Sequence, residues 1–495
     1  MTEDRSRVVS QTILYAAGQS LIALRELIIL PLFARLLGRE AYGVFAQLTV
    51  VLGLMIPFVT FKLQASTVRY LASEDDLPVL RRGLYSGLVW VVGSCFLAGA
   101  LVSLVPGPSA RAILGGIEHR ELIPLAALLL AVTGVVVYLH NFFRIIRRID
   151  RLAAVLVGQT LLEIAAILLL VYRGHGIRGA LWGLIGVRAA VALGILAVVW
   201  RRLGRPAFDW SRLKPLLAYS IPLMPNGVLR WLINYADRLV IIQVLGLAAV
   251  GVYAASYSLG KVLHLLVMPL GVVLFPFLSR LWDRGERAEV RRYLSHATRY
   301  YLLVAMPACV GIGLLSQPLL RLIATARFET STALVLWIAL GFVLNGVFQI
   351  NVYAFHLTHR TRSLSLILGA SAALNIALNI LLVPTLGLTG AAIATATAFA
   401  LMAVSALVCG RRLIGYSIRW LDLGKGLAGV AIMVGVIRLL PAPAGWAGIV
   451  GVAALGAAVY FACLLGLRAV SKGEAAELWR LLFASPPAVA TQPGE

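Results

Sequence analysis

From Ser220 to Ile242 the sequence reads SIPLMPNGVLRWLINYADRLVII. On a helix, Asn226, Arg230, Asn234, Asp237 and Arg238 fall at i, i+4, i+8, i+11 and i+12, which is a single face. The segment is long and apolar enough to cross a bilayer, yet each ionisable residue at mid-membrane costs roughly 3 kcal/mol on insertion scales. Such a stripe is tolerable only where it faces a protein interior or a water-filled cavity. Pro222 and Pro225 bend the approach to this face and free backbone carbonyls. Guanidinium forks and amides at this spacing suit the binding of oxyanions and hydroxyls, so the chemistry implied is recognition.

Other apolar segments carry polar faces at helical spacing. The first holds Gln11, Tyr15, Gln19, Arg25 and Glu26; the fifth holds Glu163 and the sixth Arg188. The eighth has Tyr253, Tyr257, Lys261 and His264, the tenth Asn345, Gln349, Tyr353 and His356, and the eleventh Ser371, Asn375 and Asn379. Five cations within spans (Arg25, Arg188, Arg230, Arg238 and Lys261) face three carboxylates, Glu26, Glu163 and Asp237. The excess predicts a cationic cavity and an anionic ligand. Arg25, Arg188, Arg230 and Lys261 are the expected contacts to negative charge. Asn226, Asn234, Tyr253, Tyr257, Asn345, Asn375 and Asn379 are the expected contacts to hydroxyl groups. The competing role for each arginine is a structural ion pair or a shallow, snorkelling position. For an uncharged residue it is an interhelical hydrogen bond of about 0.6 kcal/mol. Glu26, Glu163 and Asp237 could couple transport to protons if desolvated. There is no HExxH or other metal-ligand spacing and no phosphate-binding loop, so the sequence predicts no metal, no cofactor and no catalytic set.

The elements that must hold these residues are membrane helices. Of 495 residues, 60% are hydrophobic, against about half in a soluble chain. Fourteen candidate spans can be drawn, the first near 11–34, the seventh near 215–243, the eighth near 249–279 and the last near 444–467, giving an all-α polytopic fold. With the N-terminus in the cytoplasm and loops assigned alternately, 28 of the 44 Lys and Arg fall inside and 9 outside. That bias predicts both termini inside. It also explains the net charge of +23 as topology, with no nucleic acid as partner. The polar opening MTEDRSRVVS is not that of a cleavable signal peptide. Cys95, Cys309, Cys409 and Cys463 sit in apolar runs and read as small buried hydrophobes. The segments from Glu286 and from Ser471 are expected to be amphipathic interfacial helices, and the tail from Ser485 is expected to be disordered.

The chain also repeats itself. LLGREAYGVFA from Leu36 aligns without gaps on VLGLAAVGVYA from Val244. Arg81-Arg82 recurs as Arg291-Arg292, and GIRGA from Gly176 as GLTGA from Gly387. All three pairs are displaced by about 210 residues. This divides the chain into an N-lobe of six spans (1–205), a C-lobe of six (206–420), two further spans (421–470) and a cytoplasmic end (471–495). Parallel repeats of this kind are a transporter architecture.

LLGREAYGVFA, the proline-rich seventh span with Asp237 near its end, and the following LGLAAVGVYAASYSLGKV resemble the polysaccharide-biosynthesis flippases. That family sits in the superfamily of lipid II flippases and multidrug and toxin extruders. The resemblance covers about residues 8 to 420. It implies a flippase that moves an undecaprenyl-pyrophosphate-linked oligosaccharide from the inner to the outer leaflet of a bacterial inner membrane by alternating access. The product would be O-antigen, capsule or exopolysaccharide. It also implies membrane lipids, a glycan polymerase and other assembly proteins as partners. Two rivals are a multidrug-extruder-like antiporter, which should have an acidic cavity, and a membrane glycan polymerase or ligase, which usually has a sizeable outer loop.

Overall fold

The computed structural model describes residue 18, residues 24–74 and residues 76–469, excluding the side chains at 272 and 273. The regular secondary structure of those residues is entirely helical. This is what a bilayer imposes, since a helix satisfies its own backbone groups where no water can. The first half contains α1 (24–36), α2 (Gly38–Val59), α3 (Leu63–Leu71), α4 (Leu77–Leu104), α5 (Pro106–Leu114), α6 (Ile123–Leu139), α7 (Asn141–Ile145), α8 (Ile149–Leu170) and α9 (Gly176–Leu203). The second half contains α10 (Trp210–Ser220), α11 (Met224–Leu245), α12 (Leu247–Lys261), α13 (Met268–Asp283), α14 (Arg287–Ile323), α15 (Thr332–Asn351), α16 (Tyr353–Leu357) and α17 (Thr361–Ile414). Two more, α18 (Trp420–Leu439) and α19 (Gly445–Gly466), complete it. The expected helix from Ser471 and the tail from Ser485 lie outside the described residues, as do Gln11, Tyr15 and Gln19.

Among the described residues, nine helical stretches are long and apolar enough to cross a membrane, or ten if α12 and α13, bent by 44°, count together. The expectation of fourteen also includes the first segment, described mainly from residue 24, and α11, whose polar stripe sets it apart from those nine. Two of the nine run 55 and 54 residues. At 1.5 Å per residue each would be about 80 Å long, far beyond a hydrocarbon core of roughly 30 Å. Both double back. Between α8 and α9 a widened turn, Val171–His175, has Gly174 at φ +85°, and Gly176 follows at φ +55°, ψ −145°. Inside α17, Gly387 has φ +59°, ψ −140°. Across that break Asn375 Nδ2 donates to Thr395 Oγ1 at 3.2 Å, whereas a straight helix would part them by about 30 Å. Gly176 and Gly387 open the matched motifs GIRGA and GLTGA, so the repeat marks two equivalent hairpin turns that need a residue without Cβ.

Three elements differ from expectation. The second span, expected near 43–65, ends at Val59; Phe61 and Lys62 then take left-handed φ of 48° and 50° before α3 begins. The segment from Glu286 is not a separate interfacial helix. It runs without interruption into the ninth span as the 37-residue α14, because no glycine stands between its amphipathic and apolar parts and Pro307 lies well inside the latter. The eighth span bends after a short turn, Val262–Leu266, where Pro269 opens α13.

The buried apolar side chains form two large clusters. One is built mainly from α1 to α10 and the other mainly from α11 to α19. Two of the contacts that join the halves are made by α2. Trp231 Nε1 on α11 donates to the Val50 carbonyl of α2 at 2.9 Å. The other is a crossing of α2 and α12 at the repeat-matched glycines Gly43 and Gly251. A Cβ on Gly43 would lie 2.0 Å from the Leu247 carbonyl oxygen, and one on Gly251 would lie 2.1 Å from that of Arg39. Helices α18 and α19 dock on α14 through Arg299–Asp422 (2.9 Å) and Tyr460 Oη donating to the Leu303 carbonyl (2.7 Å).

Candidate functional site

A three-residue turn, Ile221–Leu223, and then α11 follow the two prolines. Pro222 and Pro225 sit in first helical turns, where a missing N–H costs nothing. The stripe on α11 then divides. Asn226, Arg230 and Asn234 remain open to solvent, while Asp237 and Arg238 are buried at 1% and 2% exposure.

Arg230 and Asn234 line a cavity of about 420 Å³. Its walls include Arg230, Trp231 and Asn234 from α11, Asn345 and Gln349 from α15, and Gly53 from α2, so both halves contribute. His264 Nδ1 lies 3.3 Å from Gln349 Nε2, which also donates to Asn345 Oδ1. Asn234 Nδ2 donates to the Arg230 carbonyl at 2.6 Å, and its Oδ1 has no hydrogen-bond partner among the described residues. Asn226 Oδ1 accepts from Ser365 Oγ at 3.2 Å on α17.

Arg230 makes no ion pair with a carboxylate among the described residues, and neither does Lys62. Lys62 Nζ donates to the Leu223 carbonyl at 3.1 Å, and its Nζ and Cε lie 2.8 Å from where a Cβ on Gly227 would be, one turn before Arg230. The two cations act on each other electrostatically. Lys62 was absent from the expected contacts. Its inward position depends on the left-handed break at Phe61–Lys62, and no glycine or proline in FKLQ signals that break. His264 and Gln349 were visible as members of polar faces but not as neighbours.

The other cations are neutralised or covered. Glu163 accepts from Arg188 Nε at 2.8 Å and Gln159 Nε2 at 2.8 Å on one oxygen, and pairs with Arg25 through the other. Arg188 Nη1 also donates to Thr133 Oγ1 at 2.6 Å. Two arginines thus share one buried carboxylate inside the first half, away from the cavity walls. Lys261 pairs with Glu26 of α1 at 3.6 Å. Arg238 lies over the rings of Tyr257 and Tyr235, at 5.1 and 5.4 Å.

Several expected hydroxyl contacts are core residues. Tyr253 Oη donates to Asp237 Oδ2, which also accepts from Thr395 Oγ1 at 3.3 Å. Tyr257 Oη donates to the Asn234 carbonyl at 3.3 Å. Asn375 and Asn379 are fully buried within the α17 hairpin, bonded to Thr395 and to each other. None of these four lines the cavity. Asp237, held by a tyrosine, a threonine and the Arg238 backbone N–H, sits in the same core. Of the expected set, the cavity gathers Arg230, Asn234 and Asn345.

A family model described as polysaccharide biosynthesis protein matches residues 32–333. The chain belongs to this family. Among curated relatives, a Haloferax volcanii protein named "Probable flippase AglR" is 24% identical over 64% of this chain and 60% of its own length. The succinoglycan biosynthesis transport protein ExoT of Rhizobium meliloti is 25% identical over 59% of this chain and 58% of its own. The matched stretches span about half the length of the first curated relatives, 45% and 50% for two of them. A solved structure of the lipid II flippase MurJ in an inward closed conformation superposes with a TM-score of 0.74 at 17% identity, covering 95% of this chain and 99% of that one. The fold of this family member is therefore that of a polytopic all-helical transporter, and these two curated relatives are named as a flippase and a transport protein.

Proposed function

We propose that the chain is a flippase for an undecaprenyl-pyrophosphate-linked oligosaccharide, moving it from the inner to the outer leaflet of a bacterial inner membrane for surface polysaccharide assembly. The observation that carries this reading is a pair of cations with no carboxylate partner among the described residues: Arg230 in the wall of a cavity shared by both halves, and Lys62, held to the Leu223 carbonyl and close to Gly227, one turn before Arg230. A bare positive pair in a membrane interior is costly unless an anion visits it. A pyrophosphate supplies that anion, with oxygens that suit a guanidinium fork. Asn234, Asn345 and Gln349 beside it offer amides to sugar hydroxyls, and the polyprenyl tail stays in lipid. With both termini in the cytoplasm, the Gly43–Gly251 crossing lies at the outer end and the cavity is reached from the inner side. Transport then needs that crossing to open, which is alternating access. The names of the relatives agree with this substrate class.

The uncompensated charge also weighs against an exporter of organic cations, which needs carboxylates facing its cavity. Reconstituted protein in liposomes with a polyprenyl-pyrophosphate oligosaccharide should make the glycan accessible to an external lectin. Arg230→Ala should abolish this while inserting and folding normally. Full activity of that variant, or efflux of cationic dyes with no glycan movement, refutes the assignment.

A further inference from the structure

A second basic site lies away from the central cavity, at the arginine-rich end of the helices. Arg201-Arg202-Leu203 at the end of α9 recurs as Arg411-Arg412-Leu413 at the end of α17, and Trp210 recurs as Trp420, each 210 residues apart. In both copies a left-handed glycine ends the helix, Gly204 at φ +79° and Gly415 at φ +81°. In both, an arginine from the repeat-matched pair rests on that glycine. Arg81 Nη1 lies 3.9 Å from where a Cβ on Gly204 would be, and Arg291 Nη1 lies 3.8 Å from the same point on Gly415.

Each glycine starts an extended strap that is pinned to the helix beside it. Ser86 Oγ donates to the Asp209 carbonyl at 3.2 Å in the first copy. In the second, Ser295 Oγ donates to the Ser417 carbonyl and Tyr416 Oη to Asn351 Oδ1.

The straps differ in charge: the first has Arg205 together with Asp209, the second Arg419 alone. The first strap carries Asp209, 3.9 Å from Arg82. The second has Arg419 at that position. Glu289, the nearby carboxylate, is taken by Arg292 at 3.3 Å. Arg291 gives its Nε to the Arg287 carbonyl at 3.3 Å, and the end of its fork has no partner among the described residues. The result is a preformed cleft of about 480 Å³ walled by Arg411, Arg412, Gly415, Tyr416 and Ser417, with apolar Val408 on its side. Val408, Trp420 and Leu421 beside it are exposed at 45%, 58% and 75%. Exposed tryptophan and aliphatic surface next to arginines places the cleft at the level of lipid headgroups.

We propose that this cleft binds the phosphate of an anionic phospholipid, and that the first copy does not because Asp209 already occupies the equivalent charge position. The proposal is independent of which substrate the central cavity carries.

The test uses the full chain in nanodiscs of phosphatidylcholine with increasing phosphatidylglycerol, counting retained lipid by native mass spectrometry. The wild type should retain phosphatidylglycerol selectively. Arg411→Gln with Arg412→Gln should weaken retention about 30-fold, from the loss of two surface arginines. Arg419→Asp, which copies the first strap, should weaken it too without lowering the thermal unfolding temperature. Arg360→Gln with Arg362→Gln, on another basic loop, should leave it unchanged. Equal weakening by this control pair means diffuse surface attraction and overturns the proposal. Full competition by millimolar inorganic phosphate means a soluble ligand and overturns the lipid assignment. Unchanged retention in Arg419→Asp overturns the role of the charge difference.

Discussion

Replacing Gly43 with alanine tests the contact between the halves. The added methyl carbon would start 2.0 Å from the Leu247 carbonyl oxygen, which is backbone and cannot rotate away. Reaching an ordinary contact of about 3.4 Å requires α2 and α12 to part by roughly 1.4 Å. Forced overpacking of this kind costs about 1–3 kcal/mol. At 1.4 kcal/mol per factor of ten, that shifts the equilibrium away from the closed crossing by roughly 5- to 150-fold. Gly251→Ala should do the same, since its carbon would meet the Arg39 carbonyl at 2.1 Å. The double variant should cost little more than either single one, because the first displacement already makes room for the second. The assay is disulfide formation between Glu40→Cys and Ala248→Cys, which line one small cavity at the crossing, with the native cysteines replaced. Cross-linking should fall in both alanine variants. Both glycines have helical backbone, and alanine stabilises a free helix by 0.5–1 kcal/mol relative to glycine. Unchanged cross-linking together with a raised unfolding temperature would therefore refute the tight crossing.

Four further outcomes are expected. Arg230→Lys should retain partial glycan transport and Arg230→Ala none, measured as lectin accessibility in liposomes, since lysine keeps the charge but loses the fork. Lys62→Ala should impair transport without lowering the unfolding temperature, because its one hydrogen bond is to a carbonyl and no buried charge is left behind. Glu163→Gln should destabilise the first half by about 3–5 kcal/mol, since Arg25 and Arg188 would lose their shared anion; proteolysis or thermal unfolding in detergent would show it. Asp422→Ala should loosen α18 and α19 on α14, since Arg299, buried at 3% exposure, would lose this ion pair; protease accessibility of the C-terminal region is the readout.

The membrane class, the repeat and the polar face of α11 were legible in the sequence because each is periodic. Hydrophobic length marks a span, and matched glycines mark positions where backbone meets backbone or turns back. What periodicity does not carry is which neighbour covers a face. Arg230 and Arg238 lie on one stripe, yet one opens to a cavity and the other lies under two tyrosines, because α12 packs over only the second part of α11. Asn375 and Asn379 look like cavity residues until Thr395 is brought back against them by a turn at Gly387. Arg25, Arg188 and Glu163 were legible as ionisable residues within spans, but their grouping depends on three helices meeting. Lys62 was hidden for a different reason: a left-handed break at phenylalanine and lysine has no residue type that announces it.

The crossing of Gly43 with Gly251 has the form of an isologous contact, in which the same patch appears on both sides and each residue meets its own counterpart. Such contacts are the rule between identical subunits and carry no requirement for a covalent link. Residues 1–205 and 206–469 expressed as separate polypeptides therefore present complementary faces to one another.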